Sequence, residues 1–253
     1  MNYIIAVTNQ KGGTGKTTST LNIGAGLARK GYSVLLVDLD PQGSLTLSAG
    51  IDTTELKFTV YELLKGLCKA QEVIKQPKQG NYSVIPADIR LAVAELELAG
   101  ITGREQLLRE ALEPVISDYD FVLIDCSPSL GVLTLNALTV ADEIYIPLQA
   151  EPLALAGMSS LLDTIKTVNR RINPNLEVGG ILITKYNARK NINNYIIDKL
   201  SELFTNKLFK TRIRDNITLA EATQAGLDIF TYNSKCNGAT DYESLVNEIT
   251  ERK

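Results

Sequence analysis

Histidine is absent from the sequence, which excludes Ser-His triads, imidazole acid/base chemistry and His-ligated metals. The three cysteines, Cys68, Cys126 and Cys236, lie far apart and form no C-x-x-C pair. Neither a disulfide framework nor a zinc or redox motif is indicated, and a reducing cytosol is the simplest setting. No apolar run approaches the ~20 residues that span a bilayer, and the N-terminal stretch lacks a basic region and a cleavage site. The expectation is a cytoplasmic, unprocessed protein. Repeats, low-complexity tracts and linkers are also lacking. The formal charge of −3 argues against wholesale coating of nucleic acid but says nothing of how charge is distributed.

What is present suffices for one large core: 253 residues, 44% of them hydrophobic, fit one α/β domain over residues 1–253. Short runs rich in β-branched residues predict strands at Tyr3 to Thr8, Ser33 to Asp38, Tyr82 to Pro86, Phe121 to Asp125, Glu143 to Leu148, Val178 to Thr184 and Lys207 to Ile213. Helical periodicity falls between them, at Lys16 to Lys30, Arg104 to Ser117, Val132 to Ala141, Ala154 to Asn169, Asn191 to Phe204 and Thr240 to Glu251. Gly43 to Gln79 is less regular. The alternation predicts a mostly parallel, twisted sheet with helices on both faces. A chain that opens on a strand and closes on a helix leaves, as an expectation, no appended DNA-reading or membrane-binding module.

The first strand runs into Asn9-Gln10-Lys11-Gly12-Gly13-Thr14-Gly15-Lys16-Thr17-Thr18, and a helical stretch follows. Strand, glycine loop and helix in that order make a phosphate cradle. Small residues let backbone N–H groups close on phosphate, and the helix N-terminus adds its positive dipole end. The pattern predicts that Lys16 reaches the β- and γ-phosphates of ATP and that Thr17 ligates Mg²⁺. The strict G-x-x-x-x-G-K-[ST] motif is not met, because its first glycine falls on Gln10; a second lysine, Lys11, opens the loop instead.

Carboxylates stand at the ends of two further strands. Val37-Asp38-Leu39-Asp40-Pro41 points Asp38 and Asp40 the same way by its period of two, and Phe121-Val122-Leu123-Ile124-Asp125 has the Walker B form that holds Mg²⁺. A strand-ending turn before Pro41 also accounts for Asp38 and Asp40. Their occurrence beside a phosphate loop favours function, since ligands gather at the C-terminal ends of strands in open α/β sheets.

With these residues assembled, the sequence resembles the ParA/Soj branch of the deviant Walker A ATPases, P-loop NTPases that include partition ATPases and the division regulator MinD. The likeness rests on K-G-G-T-G-K-T-T at Lys11 to Thr18, V-D-L-D-P-Q-G at Val37 to Gly43 and I-D-C-S-P-S-L-G at Ile124 to Gly131. Weaker matches lie at Gln149 to Gly157 and Asn216 to Ala222. The resemblance implies ATP hydrolysis to ADP and phosphate, slow until a partner stimulates it, and a homodimer that sandwiches ATP. In that dimer Lys11 reaches the partner's phosphates, as an arginine finger does in trans. It implies that Asp40 orients the attacking water, that Asp38 and Asp125 lie by Mg²⁺, that Arg214 and Asn216 contact adenine, and that Glu151 makes a nucleoside contact from the partner side. A ParB-like centromere-binding or cargo adaptor is the implied partner. Near the C-terminus the family often writes I-P-R-N-V-R-L-S-E-A, and this chain departs from it with Arg214, Asp215 and Thr218 in place of Pro and two Arg.

Charge along the chain bears on what such a switch would hold. Lys185 to Arg214 carries eight basic residues against two acids, a net of +6, while the remainder nets −9. A local patch of Lys185, Arg189, Lys190, Lys207, Lys210 and Arg212 predicts weak, sequence-independent binding to double-stranded DNA, doubled by avidity in a dimer on the nucleoid. A solvated basic face is the alternative. Other readings remain. A MinD-like membrane switch would need a basic amphipathic C-terminal helix, where Glu243 to Lys253 is short and acidic; an iron-protein analogue would need cluster cysteines; and a ParA-like ATPase could position a protein cargo.

Overall fold

The computed structural model describes residues 2–152 and 154–253. Leu153, inside the Gln149 to Gly157 match, lies outside the described residues, as does Met1. Seven strands form one sheet: β1 (Tyr3–Val7), β2 (Val34–Leu39), β3 (Ser83–Ile85), β4 (Phe121–Cys126), β5 (Glu143–Gln149), β6 (Glu177–Tyr186) and β7 (Leu208–Arg214). Their order is β3-β2-β4-β1-β5-β6-β7, and every pairing is parallel. All seven match the strands expected from the apolar runs, with ends displaced by one or two residues.

The helices are α1 (Lys16–Arg29), α2 (Ser44–Ser48), α3 (Val60–Leu64), α4 (Ala70–Val73), α5 (Leu91–Glu97), α6 (Leu107–Leu112), α7 (Val132–Val140), α8 (Ala154–Arg171), α9 (Asn191–Leu203), α10 (Ile217–Gln224), α11 (Ile229–Asn233) and α12 (Asn237–Glu251). The expected helix at Arg104 to Ser117 is corrected to the shorter α6, since Pro114 cannot continue an α-helix, and a separate 3₁₀ turn follows at Ile116–Asp118. Residues 43–79 hold the short helices α2, α3 and α4 and a 3₁₀ turn at Thr53–Glu55. The last helix begins at Asn237 rather than Thr240, because the Cys236 sulfur accepts the Ala239 N–H and caps it.

Alternation along β1 splits the core in two. Ile4 and Ala6 join the layer packed by α3 to α9, while Ile5 and Val7 join the layer packed by α1, α2 and α10 to α12. Gly24 lets α1 press on the sheet, for a Cβ there would stand 2.5 Å from the Leu36 side chain. The apolar face of α12 (Tyr242, Leu245, Val246, Ile249) is buried in that second layer, so this helix has no free amphipathic face for a membrane surface. No described helix is long and apolar enough to cross a membrane.

Strand order reverses at β1, with β4 on one side and β5 on the other. The loop after β1 therefore opens into the crevice at the switch point of the sheet, where open α/β folds bind ligands.

Candidate functional site

Residues 8–15 leave β1 and turn into α1 through Gly15, whose φ of 86° is open to glycine without strain. The loop is held from outside by side chains. Asn9 donates to the Pro147 carbonyl and accepts the Lys11 N–H; Gln149 donates to Gly13 O at 2.6 Å; Thr184 donates to Thr14 O at 2.7 Å. Tying carbonyls back into the protein is what a cradle made of backbone N–H groups requires. None of Asn9, Gln149 and Thr184 was singled out by sequence reasoning. The available signal was position, as Gln149 and Thr184 stand at strand C-termini.

The cradle opens into a cavity of about 670 Å³. Gly12, Gly13, Gly15, Lys16, Thr17, Thr18 and Asp40 line its floor, Ser44 and Ser48 of α2 one wall, and Lys185 with the segment Arg214 to Asn216 another. A Cβ on Gly12 or Gly13 would meet nothing within 4 Å, so the cradle is open space.

Beneath it the acids gather. Asp38 and Asp125 face each other across paired positions of β2 and β4, both buried. The Thr17 hydroxyl donates to Asp125 Oδ2 at 2.6 Å, so two of the three groups expected to serve Mg²⁺ already touch. Burial pushes the Asp125 carboxyl well above the ordinary range, and the neighbouring Asp38 adds to the shift. Burial likewise pushes Asp38 up to about 6, against hydrogen bonds from Thr46 and the Asp40 N–H. The buried Lys16 ammonium is lowered by desolvation and supported as a cation by Asp125 and Asp40. One lysine among buried carboxyls is a donor set short of positive charge, and it fits a divalent cation arriving with phosphates.

The remaining expected residues separate. Asp38 is tied into the structure: it accepts from the Thr46 N–H, the Thr46 hydroxyl and the Asp40 N–H. Thr46 Oγ1 in turn accepts the Ala87 N–H, a relay that sequence reasoning missed. Asp40 is half-buried and holds the Gln42 N–H. Arg214 lines the cavity, but its guanidinium is engaged with Asp241 at 2.6 to 3.1 Å. Asn216 lines it too, its side chain capping α10 through the Thr218 N–H. Lys11 and Glu151 pair with each other.

The six cations expected to serve DNA are spread along one crossover. Lys185 to Arg214 is a complete crossover from β6 through α9 to β7, so it crosses the sheet and returns. Lys207, before β7, sits at the far end and pairs with Glu177 at 2.8 Å, while Lys199 pairs with Glu202. Arg212 stacks over Tyr186, 4.8 Å from its ring centre. Arg189, Lys190 and Lys210 are exposed. Lys185 lines the cavity.

Comparison with known proteins gives these features a context. A family model described as an AAA domain matches residues 2–178. The sporulation initiation inhibitor protein Soj of Bacillus subtilis is 44% identical over 249 residues, covering 98% of each chain. The chromosome-partitioning ATPase Soj of Treponema pallidum is 43% identical, covering all of this chain and 98% of its own. Among solved structures, cobyrinic acid a,c-diamide synthase from Mycobacterium smegmatis with bound ADP and magnesium superposes with a TM-score of 0.88 at 37% identity, covering all of this chain and 95% of its own.

Proposed function

The chain belongs to the Soj/ParA family of P-loop ATPases, and from that membership we propose an ATP-driven switch for DNA partition that joins two copies of the chain around nucleotide. The observation that carries the reading is the cavity itself, where the glycine cradle, Lys16, the Thr17–Asp125 pair and Asp40 meet at one switch point.

The loop N–H groups and Lys16 bind the phosphates, and the hydroxyl of Thr17 with the carboxylate of Asp125 would hold Mg²⁺, Asp38 supporting from behind through Thr46 and the Asp40 backbone. Bound Mg²⁺ supplies charge neutralisation at the β- and γ-phosphates. Asp40, at the cavity and off the strand, orients the attacking water. Lys11, half exposed, would leave Glu151 to meet a partner's phosphates. Relatives named as Soj partition ATPases support DNA as the medium, and Arg189, Lys190, Lys210 and Arg212 offer the cations for it, doubled in a dimer. A partner of ParB type would stimulate hydrolysis and reset the switch.

The test is binding to random-sequence duplex DNA with ATP, ADP or no nucleotide over a salt series. Binding with ATP alone, lost with salt and lost in Lys11→Ala, is expected. DNA binding in no nucleotide state would leave the ATPase and remove DNA partition.

A further inference from the structure

Two residues other than glycine hold a positive φ among the described residues: Lys185 at 48° and Asn206 at 57°. Asparagine tolerates this region, having a short side chain that bonds locally; lysine has no such compensation. Lys185 lies near the end of β6, where pairing with β7 shifts register between Ile183 and Tyr186. A bulge residue in this conformation is usually glycine. Strain of this kind persists where the surroundings fix it, and it concentrates at binding sites.

The surroundings of Lys185 do fix it. On one side Thr184 is bonded to Thr14 O of the phosphate loop, its methyl 3.6 Å from where a Cβ on Gly15 would stand. On the other side Tyr186 pairs with Arg214. Lys185 is therefore set between the cradle and the Arg214 to Asn216 wall, and it lines the cavity with both.

Every other cation there is committed. Lys16 donates to Lys11 O among the carboxyls, Arg214 is held by Asp241, and Lys11 is held by Glu151. The Lys185 ammonium has no hydrogen-bond or ion-pair partner among the described residues, and Glu151, whose carboxyl it helps to lower, is already paired with Lys11.

We propose that Lys185 is a nucleotide-binding residue whose ammonium meets phosphate or ribose oxygens of the bound nucleoside di- or triphosphate; this rests on the reading of the cavity as the nucleotide site. The basic run read from sequence as DNA-directed thus contributes one of its members to the nucleotide.

The test exploits the strain. Lys185→Gly removes the cation and supplies the residue that the backbone favours, so the melting temperature should hold or rise. Calorimetric titration with Mg²⁺-ADP and Mg²⁺-ATPγS should show binding weakened about tenfold for both, the scale of a lost charged hydrogen bond. ADP loses as much as ATPγS because Lys185 stands on the Arg214 wall, away from the acids. Lys185→Arg should stay within about threefold of native. Native affinity in Lys185→Gly overturns the proposal, above all if the salt dependence of DNA binding becomes shallower. Binding in Lys185→Arg as weak as in Lys185→Gly overturns it too. Absence of ADP binding in the unaltered chain would overturn the cavity reading itself and this assignment with it.

Discussion

The ammonium of Lys11 lies 2.5 Å from the carboxylate of Glu151 in the same chain, both side chains about half exposed. A lysine that acts on a partner's phosphates has to leave such a pair. Half-exposed ion pairs contribute little, so the exchange is cheap and suits a switch.

Lys11→Ala should bind ADP as the native chain does and fail to form a dimer with ATP, read by light scattering. Glu151→Gln should move the midpoint of dimer formation by no more than about fivefold, the scale of an exposed pair. An unchanged dimer in Lys11→Ala would remove the lysine's role in trans.

Lys16 is the buried cation among Asp125 and Asp40. Lys16→Ala should bind ATP at least about a hundredfold more weakly by calorimetry, since it loses a charged contact to phosphate in a partly desolvated site. The unliganded variant should also melt lower, its buried carboxyls having lost their counter-charge. Unaltered ATP affinity would refute the phosphate-loop assignment.

Asp40 carries a turn, through Gln42, rather than the sheet. Asp40→Ala should therefore fold and bind nucleotide, while single-turnover hydrolysis falls by about a hundredfold or more. Native turnover would demote Asp40 to a turn residue.

Thr46 joins the buried Asp38 to the Ala87 N–H. Thr46→Val keeps the shape and leaves both groups short of a partner, so urea unfolding should show a loss of about 2–4 kcal/mol. A loss below about 0.5 kcal/mol would mean that the relay is not used.

Glu248 of α12 accepts the N–H groups of Lys210 and Thr211 on edge strand β7. Burial alone would raise its carboxyl; these bonds and Arg252 outweigh burial and hold it below the ordinary 4.5. A carboxyl depressed in the folded state stabilises above its unfolded pKa, and the gain disappears as pH falls through the folded value. The stability deficit of Glu248→Gln, followed by denaturant unfolding, should be full at pH 7 and should close as pH falls below the ordinary 4.5 and through the lower folded value. A deficit unchanged with pH would locate the effect in packing.

The strands were legible because each is a short apolar run with turn residues beside it, and a buried parallel strand needs nothing more to be seen. The short helices were not. On α5, Val93 and Leu96 are exposed while Leu91 and Ala94 are buried, so composition alone blurs its face. At the start of α10, Asn216 reads in sequence as an adenine contact, while its side chain is also the helix N-cap.

The sequence by itself determined the cradle, because strand, glycine loop and helix are contiguous and their chemistry is local, and it placed Asp40 and Asp125 by the same rule of strand ends. Tertiary structure alone decided what that cradle is fastened to: Gln149 and Thr184 reach it from 136 and 170 residues away. It also decided which cations remain at hand, since a crossover carries neighbours in sequence to opposite ends of a sheet. Lys207 went to the far end of the strands and Lys185 to the cavity, a partition that depends on where β6 ends and β7 begins.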